Sequence, residues 1–335
     1  MATRQNSTES SSWHCQRKIR NRRLALTMNT KSLESVARRL PPWATRLGKR
    51  VAVYARAKEQ LNACRKGYKE FGSRYPQPIL FIAGLPKSGS TWIEKMVSSY
   101  EGYHEYLLPA IAKHELATGG SHDFEMPTNM FKHLDHALVL TKMHCHGSVN
   151  NVNVLERSGI NYVVLHRDLR DVAVSYHFYV QNTPWHPEHK FHARTSVQEG
   201  LQVFADRMLP GYVEWVESWA NNANPDHSIQ IKYEEMLENP VKGMTRIANL
   251  FGLDSSTDTI ESIVDAHSFK KMSGGRIRGE SSTTAFARKG VAGDWVNHFT
   301  SELREAYGKQ LSEFLVKHGY EGDDAWITEE GHETT

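Results

Sequence analysis

Residues 78–100 read PILFIAGLPKSGSTWIEKMVSSY. Ile79 to Ala83 form a short continuous apolar run, the pattern of a strand buried on both faces of a parallel sheet. Gly84 to Ser90 is rich in Gly and Ser, and Pro86 blocks an early helix start. Beyond it Ile93, Met96, Val97 and Tyr100 recur at i, i+3, i+4 and i+7, which predicts a helix with its apolar face on the sheet. Strand, glycine loop and helix in that order aim backbone N–H groups and a positive helix end at a phosphate.

The loop itself, GLPKSGST (84–91), is close to the Walker pattern GxxxxGK[ST] and departs from it. Gly84 and Gly89 keep the spacing and Thr91 fills the hydroxyl position, but Ser90 follows the second glycine and Lys87 lies inside the loop. A triphosphatase needs its lysine on the β and γ phosphates and a hydroxyl on magnesium. A lysine arriving from another direction suits one phosphate and a different leaving bond. The bland alternative is a generic glycine turn.

Bulk properties narrow the class. The 335 residues hold one long α/β domain or two average ones. No apolar run approaches the ~20 residues of a membrane span. The first thirty residues lack the apolar core of a secretory signal, so a cytoplasmic location is expected. Cys15, Cys64 and Cys145 are odd in number and widely spaced, which favours reduced thiols over a disulfide framework or a zinc site. Residues 1–70 carry 17 Lys/Arg against 4 Asp/Glu, and the remainder 24 against 34. A basic arm on an acidic body fits peripheral contact with an anionic membrane, an organellar transit segment over residues 1–30, or a solvated tail with no partner. Met28 is an alternative start. Residues 31–70 place apolar and basic side chains at helical spacing, one or two amphipathic helices broken at Pro41–Pro42.

The chain therefore divides into a basic extension (1–75), an α/β domain (76–320) and an acidic tail (321–335). The domain reads as a central parallel sheet with helices on both faces, three-layer α/β/α and P-loop-like. Its next strand, in ALVLTKMHCH (137–146), ends in Lys142, His144 and His146. A third, Tyr162 to Leu165, is followed by Arg167 and by a helix bearing Ser175. Ligands of open parallel sheets bind at the carboxyl ends of strands, so Lys87, Lys142, His144 and a second anion site at Arg167 and Ser175 share one edge. Asp168 and Asp171 read as helix-dipole partners. A fourth strand lies in SIQIKYEEMLENP (228–240), with Pro240 opening the next helix.

Two segments read as loops. His186, His189 and His192 have a spacing that admits a metal reading, but no Cys or carboxylate cluster accompanies them, and an access loop over an acceptor pocket is preferred. GGRIRGESSTTAFARKGVAGDW (274–295) is a glycine-rich lid supplying Arg276, Arg278, Arg288 and Lys289. Trp185, Phe191 and Phe286 are candidate pocket linings. Thr300–His318 is a closing amphipathic helix stopped at Gly319.

Four blocks, PKSGSTW, HRDLRDVAVSYHFY, IKYEEMLENP and FARKGVAGDWVNHFT, stand in an order and register that resemble the cytosolic-type sulfotransferases that use 3′-phosphoadenosine 5′-phosphosulfate (PAPS). The resemblance covers about residues 76–320. It implies that Lys87, Ser88, Gly89, Ser90 and Thr91 cradle the 5′-phosphosulfate and that Trp92 contacts the adenine. It also implies that Arg167, Ser175, Arg288, Lys289 and Gly290 hold the 3′-phosphate, with Tyr233 and Phe269 at the base. Lys142-Met143-His144 resembles the family's Lys-x-His, which makes His144 the base and Lys142 a transition-state cation. Cys145-His146 replaces the usual Leu-Pro, and His146 competes for the same role. The family's dimer motif falls on Val296–Glu305 and keeps only Thr300 and Glu305, so the oligomeric state stays open.

The chemistry is consistent with that resemblance. A transferred sulfonate carries less charge than a phosphoryl group, so lysines can do the work of a metal, and no metal is expected. The acceptor is then a hydroxyl or amine of a small organic molecule, lipid-like or glycosidic among the options. A P-loop kinase or NTPase, and a non-catalytic nucleotide-binding membrane adaptor, remain as alternatives. The missing lysine after Gly89 disfavours the first, and Lys142 with His144 disfavours the second.

Overall fold

The computed structural model describes residues 42–328, apart from 119–121, 185, 283–284 and 286–287. The chain clusters into two units, 1–56 and 57–335. Of the first, the described part is the opening of the Pro42–Phe71 helix. The expectations for residues 1–41, including the transit segment, the alternative start and Pro41, lie outside the described residues. Among the described residues no helix is long and apolar enough to cross a membrane.

The second unit is organised on one five-stranded parallel sheet. Its strands are β1 (Ile79–Gly84), β2 (His104–Glu105), β3 (Val139–Met143), β4 (Tyr162–His166) and β5 (Ser228–Lys232), in the order β2-β3-β1-β4-β5. β1 is central and buried along its whole length, as is β4, which is why both read as unbroken apolar runs. On one face Leu80, Ile82, Leu140 and Val163 pack with Ile93, Met96 and Val97 of the Ser90–Val97 helix, and with Ile247 and Phe251. On the other, Phe81, Ala83, Val139 and Val164 pack with Val172, Trp215, Trp219, Phe204 and Tyr307. Helices on both faces make the expected three layers. The helical stripes Tyr212–Val216–Trp219 and Leu303–Tyr307–Leu311–Leu315 are core.

Strand register determines which loops can meet. Ala83 pairs with Met143, and Gly84 with Leu165. The ends of β1, β3 and β4 are therefore level, and the segments leaving them start beside one another.

The structure differs from the sequence reading in three places. Between the Ser90–Val97 helix and β3 the chain forms β2 and the Pro109–Thr118 helix, so the strand read as the fourth, at 228–232, is the fifth. β2 has two exposed residues and therefore no apolar signal. The folded body also begins at Ala57, not near Tyr75. Ala57, Cys64 and Gly67 are buried while Lys58, Arg65, Lys66 and Lys69 face solvent. The Cys64 carbonyl accepts from Leu138 N–H at 3.0 Å, and a Cβ at Gly67 would overlap the Gly102 carbonyl oxygen, so only glycine allows that approach.

At the other end the chain does not leave the body at Tyr320. After Gly319 turns the chain at φ 62°, the Tyr320 hydroxyl meets His166 Nδ1 at 2.8 Å and Glu321 pairs with Arg170 at 2.6 Å. Trp326 is buried, its ring edge-on to Trp295 at 5.8 Å and under the Arg170 guanidinium at 4.7 Å. Removing a buried indole costs about 3 kcal/mol. Trp326→Ala should lower the urea midpoint accordingly; an unchanged midpoint would show that residues beyond 320 are no part of the folded body.

Candidate active site

The loop after β1 is tied at its start by Leu85 N–H, which donates to the Leu165 carbonyl of β4 at 2.8 Å. Two residues then take left-handed backbone, Lys87 at φ 69° and Gly89 at φ 82°. A Cβ on Gly89 would stand 2.7 Å from the Tyr233 ring, so the glycine serves both the turn and the contact. Gly89 is the N-cap of the Ser90–Val97 helix and carries no side-chain cap; Trp92 N–H already bonds the Gly89 carbonyl at 2.8 Å, which leaves the Ser90 and Thr91 N–H groups for another acceptor.

One cavity gathers most of the predicted site. Its lining includes Lys87, Gly89, Ser90, Thr91 and Trp92 from the loop and helix, His144 after β3, and Arg167 and Ser175 after β4. Tyr233, Phe269, Arg288, Lys289 and Gly290 line it as well. Five cations line it, counting Arg278 with Lys87, Arg167, Arg288 and Lys289, and none of the lining residues is acidic. Such a cavity fits a polyanion.

Carboxylates just behind the wall hold the cations in place. Arg167 donates through Nη2 to Asp171 at 2.9 Å and to the Val291 carbonyl at 2.8 Å. Its guanidinium lies 4.4 Å from the Tyr233 ring centroid, and its buried Nε has no partner. Burial is the largest single influence and opposes the Arg167 charge, but Asp171, Tyr233 and Glu234 together outweigh it, so the pKa lies above the ordinary arginine value. Asp171 also accepts the N–H groups of Gly293 at 2.8 Å and Trp295 at 2.9 Å, fastening the 288–295 segment to the β4 end. Its role is larger than the helix-dipole partner read from sequence. Asp294 pairs with Arg288 and with Lys289 Nζ at 2.5 Å. Burial alone would raise its pKa; hydrogen bonds from His298, Lys289 and Arg288 drive it well below the carboxylate range. Gly290, at φ 68°, lets the Phe269 ring lie where a Cβ would be.

Lys87 has its ammonium 4.1 Å from the Tyr179 ring centroid. Burial, with help from Arg167 and Arg288, lowers its pKa to about 8. His144 presents Nδ1 to the Gly84 carbonyl at 2.5 Å. A carbonyl only accepts, so Nδ1 carries the proton and Nε2 is left with a lone pair. Burial, the main cause, keeps this imidazole neutral by lowering its pKa, and Lys142 and Lys87 contribute. The competitor His146 binds Glu125 at 3.1 Å and does not line the cavity.

Lys142 does not reach the cavity lining. Its ammonium lies 2.6 Å from Glu94 and 3.1 Å from Thr91 Oγ1. Ser88 is fully buried below the loop, its hydroxyl without a partner. Phe191 is not a pocket residue: it stacks against the Arg207 guanidinium at 3.8 Å, held there by the Glu188–Arg207 pair. Trp185 and Phe286 lie outside the described residues. Tyr179 takes the pocket position that sequence reading missed; it stands one turn beyond Ser175, a signal the helical period carried. Of the three spaced histidines, His192 meets His177 Nδ1 to Nδ1 at 3.1 Å and His189 bonds the Val180 carbonyl. His186 sits edge-on against Tyr176 and Tyr179. Among the described residues no group of three or more metal-ligating side chains converges. In the 274–295 segment, Gly279 N–H bonds the Lys289 carbonyl and Ser282 N–H the Arg288 carbonyl, both at 3.0 Å.

Sheet, loop and cation cluster define an α/β protein with a cation-lined cavity at the carboxyl ends of its strands, where open parallel sheets take their ligands. The sulfotransferase domain family matches residues 77–316. Among curated proteins, sulfotransferase 1E1 of Cavia porcellus is 27% identical over 251 residues, covering 70% of this chain and 82% of that protein. A flavonol sulfotransferase-like protein of Flaveria bidentis is 26% identical over 261 residues, covering 70% and 81%. Among solved structures, a mouse sulfotransferase complexed with PAP superposes with a TM-score of 0.53 at 20% identity, covering 71% of this chain and 84% of that one. The chain belongs to the sulfotransferase family.

Proposed function

We propose that this protein moves a sulfonate from PAPS to a hydroxyl or amine of a small organic acceptor, with His144 as the base. The observation that carries this reading is the single cavity joining the phosphate loop, His144 and the Arg167–Lys289 cation cluster. The complex of the mouse relative with PAP supports the same donor. The residues fit that nucleotide: an orphaned Ser88 hydroxyl and Arg167 Nε, an uncapped helix start, and two glycines that bring Tyr233 and Phe269 close.

PAPS supplies an electron-poor sulfur on a good leaving group. Gly89, Ser90 and Thr91 would hold its 5′ side, with Ser88 beneath. Arg167, Ser175, Arg288, Lys289 and Gly290 would hold its 3′-phosphate, with Trp92, Tyr233 and Phe269 around the base. His144 Nε2 takes the acceptor's proton as the new bond to sulfur forms and the sulfur–oxygen bond to the nucleotide breaks. Lys87 meets the charge that builds on the departing oxygen. Lys142, which the resemblance makes a transition-state cation, has its ammonium on Glu94 and Thr91 and stands behind the loop. Pro86 and Tyr179 offer an apolar wall to the acceptor, which a screen of hydroxyl and amine compounds with labelled donor would identify.

Two outcomes are expected. His144→Ala should lower transfer from radiolabelled PAPS by about 10²- to 10⁴-fold while adenosine 3′,5′-bisphosphate still binds; wild-type turnover in this variant removes the proposed base. Lys87 is charged below its free-protein pKa of about 8, and an anion bound beside it raises that pKa. Affinity for the bisphosphate should therefore hold below that pH and fall as pH rises through it, with net proton uptake on binding. A flat calorimetric profile would contradict the placement of Lys87 on the nucleotide.

A further inference from the structure

Lys142 belongs to β3 and lies opposite Ile82 of β1, on the sheet face that the Ser90–Val97 helix covers. Its ammonium rises between two residues of that helix, Thr91 and Glu94. These stand three apart and so share one face. The pair with Glu94 is largely shielded, the two side chains being 18% and 14% exposed.

Lysine has donors only, so the 3.1 Å contact fixes Thr91 Oγ1 as the acceptor. A hydroxyl has one proton, and with a lone pair held by an ammonium on the sheet side, that proton turns away from Lys142. Thr91 lines the cavity and Lys142 does not, which leaves the O–H free to turn toward the ligand space. An ammonium on the oxygen also makes the hydroxyl a stronger donor. Glu94 completes the arrangement. Without it, the Lys142 ammonium would no longer be held against Thr91.

We propose that Glu94 is a positioning residue for sulfonate transfer: it anchors Lys142 against Thr91, so that Thr91 acts as a committed donor to the 5′ side of the nucleotide. Lys142 thereby works as a strut behind the loop. This role presupposes the proposed sulfonate transfer, and the test separates the two.

The test is a double-mutant cycle on the affinity of the full chain for adenosine 3′,5′-bisphosphate, measured by calorimetry. Glu94→Gln and Thr91→Val should each weaken binding about tenfold, the scale of one hydrogen bond to a charged group. The double variant should bind about as weakly as Thr91→Val alone, because Glu94 acts only through that hydroxyl. Fold-losses that multiply in the double variant, or a Glu94→Gln affinity equal to wild type, overturn the proposal. If Glu94→Gln does not fold, Lys142→Met takes its place in the same cycle with the same two readings. Wild-type protein that does not bind the bisphosphate defeats the sulfotransferase assignment of the site itself, whereas tight wild-type binding with multiplying losses defeats only the role of Glu94.

Discussion

Several cations must share one cavity before any anion arrives to neutralise them. The fold meets this constraint with carboxylates placed behind the wall. Asp171 takes Arg167 and two backbone N–H groups of the 288–295 segment, and Asp294 takes Arg288, Lys289 and His298. Each carboxylate neutralises the far side of its cations and leaves the near side toward the cavity. Breaking such a buried pair leaves an uncompensated charge, which costs more than the pair contributes in isolation. At Lys87 the balance tips the other way: burial and the neighbouring arginines lower its pKa to about 8.

The parallel sheet makes this gathering possible. Level ends at β1, β3 and β4 bring Lys87, His144 and Arg167 together, though they are far apart in sequence. Backbone atoms then do the fine positioning. The Leu165 carbonyl holds the loop through Leu85, and the Gly84 carbonyl sets the His144 tautomer. Trp215 donates to the His144 carbonyl from the opposite layer at 2.8 Å. The core that stabilises the sheet is thus the same structure that aims the proposed catalytic imidazole. At the C-terminus, Tyr320, Glu321 and Trp326 pack on His166, Arg170 and Trp295, directly behind the Arg167 site.

Much of this was legible in the sequence because burial on both faces leaves an apolar run, and a phosphate loop needs its glycines. The loop, His144, Arg167, Ser175 and the Arg288–Gly290 segment all reach one cavity. What the sequence did not carry was pairing. Nothing in a linear pattern says that Lys142 will spend its charge on Glu94, or that Asp171 will clamp a segment more than a hundred residues away. The ends of the body were misplaced for a related reason. The Pro42–Phe71 helix buries small residues such as Ala57 and Gly67 beneath a basic outer face, and Trp326 follows an acidic turn. Phe191 looked like a pocket aromatic by type, but an arginine already occupies its face.

The proposed donor binding depends on two groups of residues in one cavity, the loop after β1 and Arg167 with the 288–290 segment. The most direct measurement is a calorimetric comparison of adenosine 3′,5′-bisphosphate with adenosine 5′-monophosphate on the full chain. The two ligands differ only in the 3′-phosphate, which several charge-assisted hydrogen bonds would hold. The bisphosphate should bind at least about 100-fold more tightly. Equal affinities, or a preference for magnesium ATP over both, would contradict the two-site cavity.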